Sequence, residues 1–553
     1  MTSNIGEFLI EFSELFGEKT RRVPELYGNG DPPPRVVSRP SDISVTSSRI
    51  DNHHYGMDLP NQSPPEDDEV QIGPATCMID EIHRGMQSTK NGSSGPWLSF
   101  DKLRTFSQRS RVNSELRKQF SDIEAARLTN YVCGVQAQHC KGGDTSQRIF
   151  VILVLIRRLE ILPALVTDGL RDKDLPFEWA DPASRDHLIS ARSDFADGHL
   201  PCFEKAGIAV SREFYLNQWM ILTPLISLDE YNEVTTFHLA SEVIMPWTSI
   251  GIEKTSGFSR VRRVEIHDSH HPFREHKAFA LKTLLQEDPE QAEQEFEQEL
   301  KALTKMEPGE HILKLCATFK IGTEYSFLSP WAEGGNLRQF WTESPREIQQ
   351  SFCQPQILLR WMAEQCHALA AALQSIHDVR VKALIRAKRI SKDEETDSDV
   401  FGIHGDIKPE NILLFDYRQR RSGIGTLKIA DFGLTEFHKL TSRSRTYKPS
   451  PEGRRLAPTY EAPELSQLGG SYSRKADVWA LGCVFSEFLT WVVRGPSATT
   501  KFADDRAKER DWDTALKKDV GFYSDNFFTA KRYKGGGVKT SLKRSVVKRP
   551  MSR

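Results

Sequence analysis

His404-Gly405-Asp406-Ile407-Lys408-Pro409-Glu410-Asn411, followed after a short interval by Asp431-Phe432-Gly433, decides how this 553-residue chain reads. Two acids, a lysine and an asparagine stand beside the apolar runs Ile412-Leu413-Leu414 and Leu427-Lys428-Ile429-Ala430. Runs so short and so rich in branched residues read as strands, with the polar groups on the loops at their ends. An acidic, solvated turn is the plain alternative for either segment alone. Two such segments in one order call for a common explanation.

Together they resemble the catalytic loop and magnesium loop of eukaryotic protein kinases, H-R-D-x-x-x-x-N and then D-F-G. Phosphoryl transfer asks a protein mainly to position groups and neutralise charge. The resemblance therefore implies that Asp406 orients the acceptor hydroxyl and takes its proton, and that Lys408 neutralises the transferring phosphate. It makes Asn411 and Asp431 the ligands of Mg2+, for which their hard oxygen donors are suited. Four further pieces follow the same order. Lys282 ends the apolar alternation Phe279-Ala280-Leu281-Lys282, as in the family's V-A-I-K. Phe296, Leu300 and Leu303 share a helical face that Glu299 borders, so Glu299 can point inward and pair with Lys282. Ala462-Pro463-Glu464 is similar to the family's A-P-E. Asp477-Val478-Trp479-Ala480-Leu481-Gly482 is similar to its D-x-W-x-x-G helix, and Ser473 is placed to cap that helix.

The implied fold is α+β, a two-lobed kinase with a β-rich N-lobe and a helical C-lobe. The resemblance runs from about residue 243 to about residue 490 and implies ATP and Mg2+ as cofactors and a protein substrate as partner. It lines the nucleotide site with Gly257, Val261, Ala280, Pro330, Ala332 and Leu413. Ser329 takes the gatekeeper position, and Ala332 the position whose backbone N–H meets adenine. A plain strand and Gly334-Gly335 turn would fit the local sequence equally well.

Departures from the pattern bear on activity. If Val261 holds the family's valine position, Lys254, Ser256 and Ser259 replace the three glycines of G-x-G-x-x-G, with Gly257 and Phe258 at the tip. Any of them forced to φ > 0 costs about 1–2 kcal/mol. Gly405 stands where most kinases carry arginine, which makes the chain a non-RD type and removes the usual partner of an activation-segment phosphate. Ala457 replaces a threonine common in Ser/Thr kinases, although Ser/Thr specificity is still the better expectation. Beyond the Leu481–Val493 stretch only some sixty residues remain, with Gly535-Gly536-Gly537 among them and no evident partner for Glu464. The C-lobe thus reads as shortened, ending in a basic tail. Two function classes follow: an active ATP- and Mg-dependent protein kinase, or a pseudokinase scaffold with little turnover.

The rest of the chain divides by composition. Residues 1–22 place Ile5, Phe8, Leu9, Phe12, Leu15 and Phe16 at helical spacing, a short amphipathic helix. Proline, serine and acid dominate 23–96, which reads as a disordered linker. Residues 97–240 read as a helical extension that braces the N-lobe, with the apolar run Ile149–Ile156 buried. This region is similar to the extension that precedes the kinase domain in a group of fungal kinase-like proteins. The N-lobe is expected at 241–330, the C-lobe at 331–500 with an exposed charged insert at 382–400, and the basic tail at 501–553. A formal charge of −2 implies no global attraction to nucleic acid or membrane, and the nine cations of residues 531–553 read as solvated. The eight cysteines show no Cys-x-x-Cys spacing, which fits a reducing compartment and an intracellular, cytoplasmic or nuclear site. Neither a signal-peptide pattern nor a run long enough to span a bilayer is evident.

Overall fold

A computed structural model describes residues 77–92, 94–134, 145–190, 200–228, 234–256, 258–305, 309–351, 356–378, 400–417, 423–439, 458–466, 473–513, 516, 518–520, 524–533 and 538–547. The helix expected over 1–22, the linker as far as residue 76, Gly257, the insert over 382–399 and Ala457 lie outside the described residues.

Helix α1 (Met78–Gly85) buries Met78, Ile79 and Ile82 on one face, and β1 (Met86–Gln87) pairs antiparallel with β2 (Trp97–Leu98). The disordered linker expected over 23–96 is therefore overturned at its C-terminal end. Three apolar residues at helical spacing suffice once a core is there to receive them. That core belongs to α2 (Phe100–Phe106), α3 (Arg109–Leu116), α4 (Asp122–Cys133), α5 (Gln147–Leu155) and α6 (Leu162–Thr167). The hairpin β3 (Phe177–Trp179) and β4 (Leu188–Ser190) and helices α7 (Pro201–Ala206) and α8 (Ile208–Ile221) complete it. Ile149 through Leu155 are all buried in α5, whose first N–H groups at Arg148 and Ile149 donate to Asp172 at 3.0 and 3.1 Å. The carboxylate thus satisfies donors that a helix start leaves free.

The next strands are β5 (Thr236–Leu239), β6 (Trp247–Thr255), β7 (Ser259–Ile266) and β8 (Phe279–Leu284). After α9 (Pro289–Lys305) come β9 (Ala317–Ile321) and β10 (Glu324–Pro330). They form one six-stranded sheet in the order β5-β9-β10-β8-β7-β6, antiparallel except for the β5–β9 pair. The boundary expected at 240/241 moves, because β5 comes from the extension and lies beside Thr318–Ile321. Strand β8 alternates: Phe279, Leu281 and Thr283 are buried, while Lys282 emerges on the opposite face, as the period of two requires. Helix α9 packs Phe296 on Tyr325 and Phe327 at ring separations of 4.9 and 5.0 Å.

The extension is tied to this sheet. Lys90 N donates to Thr248 O, Ile250 N donates to Lys90 O, and Thr89 Oγ1 donates to Trp247 O at 2.7 Å. These bonds occupy backbone groups that edge strand β6 would otherwise present to solvent. Buried His270 adds a second tie, accepting at Nε2 from Phe100 N (2.9 Å) and donating from Nδ1 to Pro224 O (2.8 Å). Burial pulls its imidazole down to about 4, which keeps that neutral tautomer.

The second lobe begins with α10 (Leu337–Phe340), α11 (Pro345–Ser351) and α12 (Ile357–His377). Strand β11 (Val400–Ile403) pairs with β14 (Glu436–Lys439), and β12 (Ile412–Phe415) with β13 (Thr426–Ile429). Helix α13 (Arg474–Arg494) buries Phe488 and Trp491 against Phe340 and Trp361. It is long and apolar enough to cross a membrane by length and composition, yet half of it is buried within the protein, Asp477 and Glu487 included.

The basic tail expected over 501–553 is overturned too. Helix α14 (Pro496–Lys508) is followed by β15 (Asp511–Asp513), β16 (Lys518–Val520), β17 (Phe528–Arg532), β18 (Val538–Leu542) and the single turn α15 (Arg544–Val547). The strands form a four-stranded sheet in the order β16-β15-β17-β18. In β17, Phe528 and Ala530 are buried while Lys531 and Arg532 are exposed, so these two of the cations that made the segment read as a tail ride on a folded sheet.

Candidate active site

Lys282, carried to the cleft by β8, donates from Nζ to Glu299 Oε1 and Oε2 at 2.8 and 3.0 Å and to Asp431 Oδ1 at 2.8 Å. Three elements far apart in sequence meet at one ammonium. Burial works to lower the Lys282 pKa, but Asp431 and Glu299 override it and hold the ammonium well above its usual range. Burial raises Glu299 above the usual carboxylate range. Lys282 does the reverse to Asp431, holding it at about 2. The Asp431 side chain keeps 44% of its surface exposed. One carboxylate is thus a buried anchor and the other an open, ionised group.

The catalytic-loop residues form a second knot. Asp406 Oδ2 accepts from Lys408 Nζ at 2.5 Å and from Asn411 Nδ2 at 2.9 Å, and Asn411 Nδ2 donates as well to Asp406 O at 2.9 Å. These bonds use only the amide nitrogen of Asn411, which leaves its Oδ1 as a donor atom for a cation. Burial raises the Asp406 pKa, against the pull of Lys408. The two knots are joined: Ala430 N donates to Asn411 O at 2.9 Å, and the ring of His404 lies 5.1 Å from that of Phe432.

Asp477 sets the loop's backbone. It is buried and accepts from His404 N (2.8 Å), Gly405 N (2.9 Å) and His377 Nε2 (2.9 Å). Gly405 sits at φ +84, where a Cβ would lie 3.0 Å from Leu434 O. Asp431 itself adopts φ +66, a left-handed conformation that costs a non-glycine residue on the order of 1–3 kcal/mol and is concentrated at working sites.

The described residues expected to line a nucleotide site lie on neighbouring elements. Val261 on β7 is in register with Lys282, and Ala280 with Ser329 on β10. Pro330 ends β10, and Trp331 N donates to Ala278 O, leaving Ala332 next in line. Ala332 N has no acceptor among the described residues, and Ala332 O accepts from Gly335 N. Gly334 is pressed on Leu414, where an added Cβ would meet the side chain at 2.6 Å. The adjacent Leu413 forms an antiparallel bridge with Asn336. Two side chains standing in for the loop's glycines have partners of their own. Lys254 extends its Nζ toward Gln339 Oε1, 3.5 Å away. Ser256 Oγ accepts from Ser259 N at 3.0 Å and from Phe258 N at 3.4 Å and donates to Ser259 O. The hydroxyl therefore occupies loop N–H groups that a phosphate would need.

Several participants were beyond sequence reasoning. His377 precedes a long insert, and its partner Asp477 is a hundred residues on. Arg338 donates from Nε to Glu410 Oε1 at 3.0 Å and also donates to Tyr460 OH, whose own hydroxyl donates to Glu487 Oε2 at 2.7 Å. Only the Glu410 position, inside the catalytic loop, hinted at such a network. Glu464 has no charged partner among the described residues. No group of three or more His, Cys, Asp or Glu able to hold a metal occurs among them either. A two-ligand site such as Asn411 with Asp431 suits Mg2+, which keeps waters and phosphate oxygens as its remaining ligands.

Comparison with known proteins agrees with this geometry. The family model described as protein tyrosine and serine/threonine kinase matches residues 254–502. The chain is 31% identical over 180 residues to the serine/threonine-protein kinase RUNKEL of Arabidopsis thaliana, covering 32% of this chain and 10% of that protein. It is 44% identical over 88 residues to a dual specificity tyrosine-phosphorylation-regulated kinase 3 homolog of Drosophila melanogaster, covering 16% and 9%. It is 38% identical over 88 residues to cyclin-dependent kinase 2 of Caenorhabditis elegans, covering 16% and 20%. The matched part thus spans a fifth or less of each of these relatives. Sheet, helices, motifs and family match coincide over residues 254–502, and this segment is a domain of the eukaryotic protein kinase type.

Proposed function

We propose that this chain is an ATP- and Mg2+-dependent protein kinase that phosphorylates serine or threonine hydroxyls. The observation that carries the reading is the simultaneous grip of Lys282 by Glu299 and Asp431, with the Asp406–Lys408–Asn411 knot joined to it through Ala430. Lys282, held in place on both sides, meets the α- and β-phosphates. Bound Mg2+ supplies charge neutralisation at the phosphate oxygens, with Asn411 Oδ1 and the open side of Asp431 as its protein ligands. Asp406 aligns the acceptor hydroxyl and receives its proton, and Lys408 compensates the charge that gathers beside it. Ala332 N and the faces of Val261, Ala280, Pro330 and Leu413 take the adenine. Gly405 leaves the loop without a cation for an activation-segment phosphate, so this kinase does not use that switch. The free cysteines among the described residues fit a reducing, intracellular setting.

A scaffold reading draws on one specific observation, the engagement of loop N–H groups by Ser256. Purified protein incubated with labelled ATP, Mg2+ and a general basic substrate separates the two. Incorporation is expected in wild type and is reduced by at least ~10²-fold in Asp406→Asn, the range for loss of a positioned general base. Equal incorporation in both proteins assigns the signal to a contaminant and the chain to the scaffold class.

A further inference from the structure

Arg506, on α14, is fully buried. Its guanidinium lies between the rings of Phe502 and Phe527, 4.1 and 4.0 Å from their centroids. Nη2 donates to Glu487 Oε1 at 2.6 Å and Nε to Asp525 O at 2.7 Å. The other oxygen of Glu487 accepts from Tyr460 OH at 2.7 Å. Asp525 Oδ1 accepts from Thr459 Oγ1 at 2.5 Å. Two adjacent residues at the end of the activation segment are thus each tied to groups that Arg506 organises. The network then turns toward the chemistry. Arg338 donates to Tyr460 OH, lies 3.6 Å from Glu487 Oε2 and donates to Glu410, four positions after Asp406. None of these bonds belongs to the phosphoryl-transfer machinery. A buried ion pair is held at a desolvation cost and specifies one arrangement of the groups it joins.

We infer that the C-terminal module, residues 496–547, braces the 458–466 end of the activation segment, and that Arg506 is the positioning residue through which it acts. The effect on catalysis rests on the kinase reading; the brace itself does not. Its substrate-side consequence is that the surface receiving the acceptor peptide is held from behind by Glu487 and Asp525, independently of any phosphate on the segment. Nucleotide binding, assigned to β8, α9 and residues 330–332, lies outside the network.

Full-length Arg506→Gln, Arg506→Lys and Thr459→Val test this by amide hydrogen exchange, affinity for a fluescent-labelled ATP analogue with Mg2+, and peptide kinetics at saturating ATP. Thr459→Val removes one surface-side link and leaves the buried pair in place, so it reports even if Arg506→Gln does not fold. Exchange over 458–466 is expected to rise about tenfold in Arg506→Gln and a few-fold in Thr459→Val, with 404–414 unchanged. Peptide KM is expected to rise several-fold with the analogue's Kd within about twofold, and Arg506→Lys to restore part of the loss. Unchanged exchange at 458–466 in the folded variants overturns the brace. So does a uniform rise that includes 404–414, which reports only lost global stability. Wild-type protein with no transfer activity but with the localised exchange response overturns the kinase reading and leaves the brace standing.

Discussion

Ser256→Ala is expected to tighten nucleotide binding. The hydroxyl accepts from Ser259 N at 3.0 Å and, less well, from Phe258 N at 3.4 Å, while Ser256 N donates to Ser259 O at 2.8 Å and closes the hairpin without it. A phosphate entering the loop must take those N–H groups from the serine. Net hydrogen-bond values of about 0.5–1.5 kcal/mol each put the release cost at about 1–2 kcal/mol. That corresponds to about 5–30-fold in affinity. Ser256 is not among the residues with positive φ, so alanine fits its backbone. Ser256→Gly removes the same hydroxyl but adds chain entropy of about 0.5–1 kcal/mol, so its gain is smaller, about threefold. Titration with a fluorescent ATP analogue and Mg2+ gives the three constants. Alanine binding no tighter than wild type, or glycine tighter than alanine, refutes the reasoning: the first denies that the hydroxyl competes, the second makes flexibility the limiting factor.

Two other expectations concern the catalytic acid and the packing behind it. Burial raises the Asp406 pKa and Lys408 opposes that, so Lys408→Met should lower kcat and move the acid limb of its pH profile upward; a limb that stays or moves downward contradicts the assigned pair. Phe296→Ala removes a buried ring packed against Tyr325 and Phe327 and should cost about 3–5 kcal/mol in urea unfolding. Glu299 lies one turn further along the same helix, so kcat/KM should fall even where the variant is fully folded; unaltered kinetics would separate α9 packing from the placement of Glu299.

The site was legible because its chemistry is written in short segments. Asp406, Lys408 and Asn411 are five residues apart from end to end, and β8 follows a period of two that puts Lys282 opposite Leu281. Glu299 could be picked out because it borders the apolar helical face of Phe296, Leu300 and Leu303. What sequence could not supply is the partner of a lone polar residue across long separations. Asp477 finds His377 over a hundred positions, and Arg338 finds Tyr460 over more. Helix α1 was hidden by the proline- and acid-rich run ahead of it, since its few apolar residues acquire meaning only against α5 and its neighbours. Strand β5 was assigned to the extension because nothing local announces a parallel partner eighty residues on.

The C-terminal region shows why a charge run is a poor guide to its own structure. Nine cations and no acid between 531 and 553 look alike in sequence, but the fold gives opposite surroundings to three that it describes, Lys531, Lys539 and Lys543. Lys531 and Lys539 face each other across β17 and β18 on the solvent side, where like charge on an edge strand discourages pairing with another chain. Lys543 is buried, and its Nζ donates to Ser524 O at 2.7 Å while burial pulls its ammonium down to about 8. Its backbone N donates to Phe527 O. Those two bonds fix residues 524–527, the turn that supplies Asp525 and Phe527 to Arg506. One lysine of the run therefore acts as a rivet beneath the Arg506 site, whereas Lys531 and Lys539 only keep the sheet in water. Charge reversal at Lys531 or Lys539 perturbs the surface alone, while neutral replacement of Lys543 loosens the same turn that Arg506 depends on.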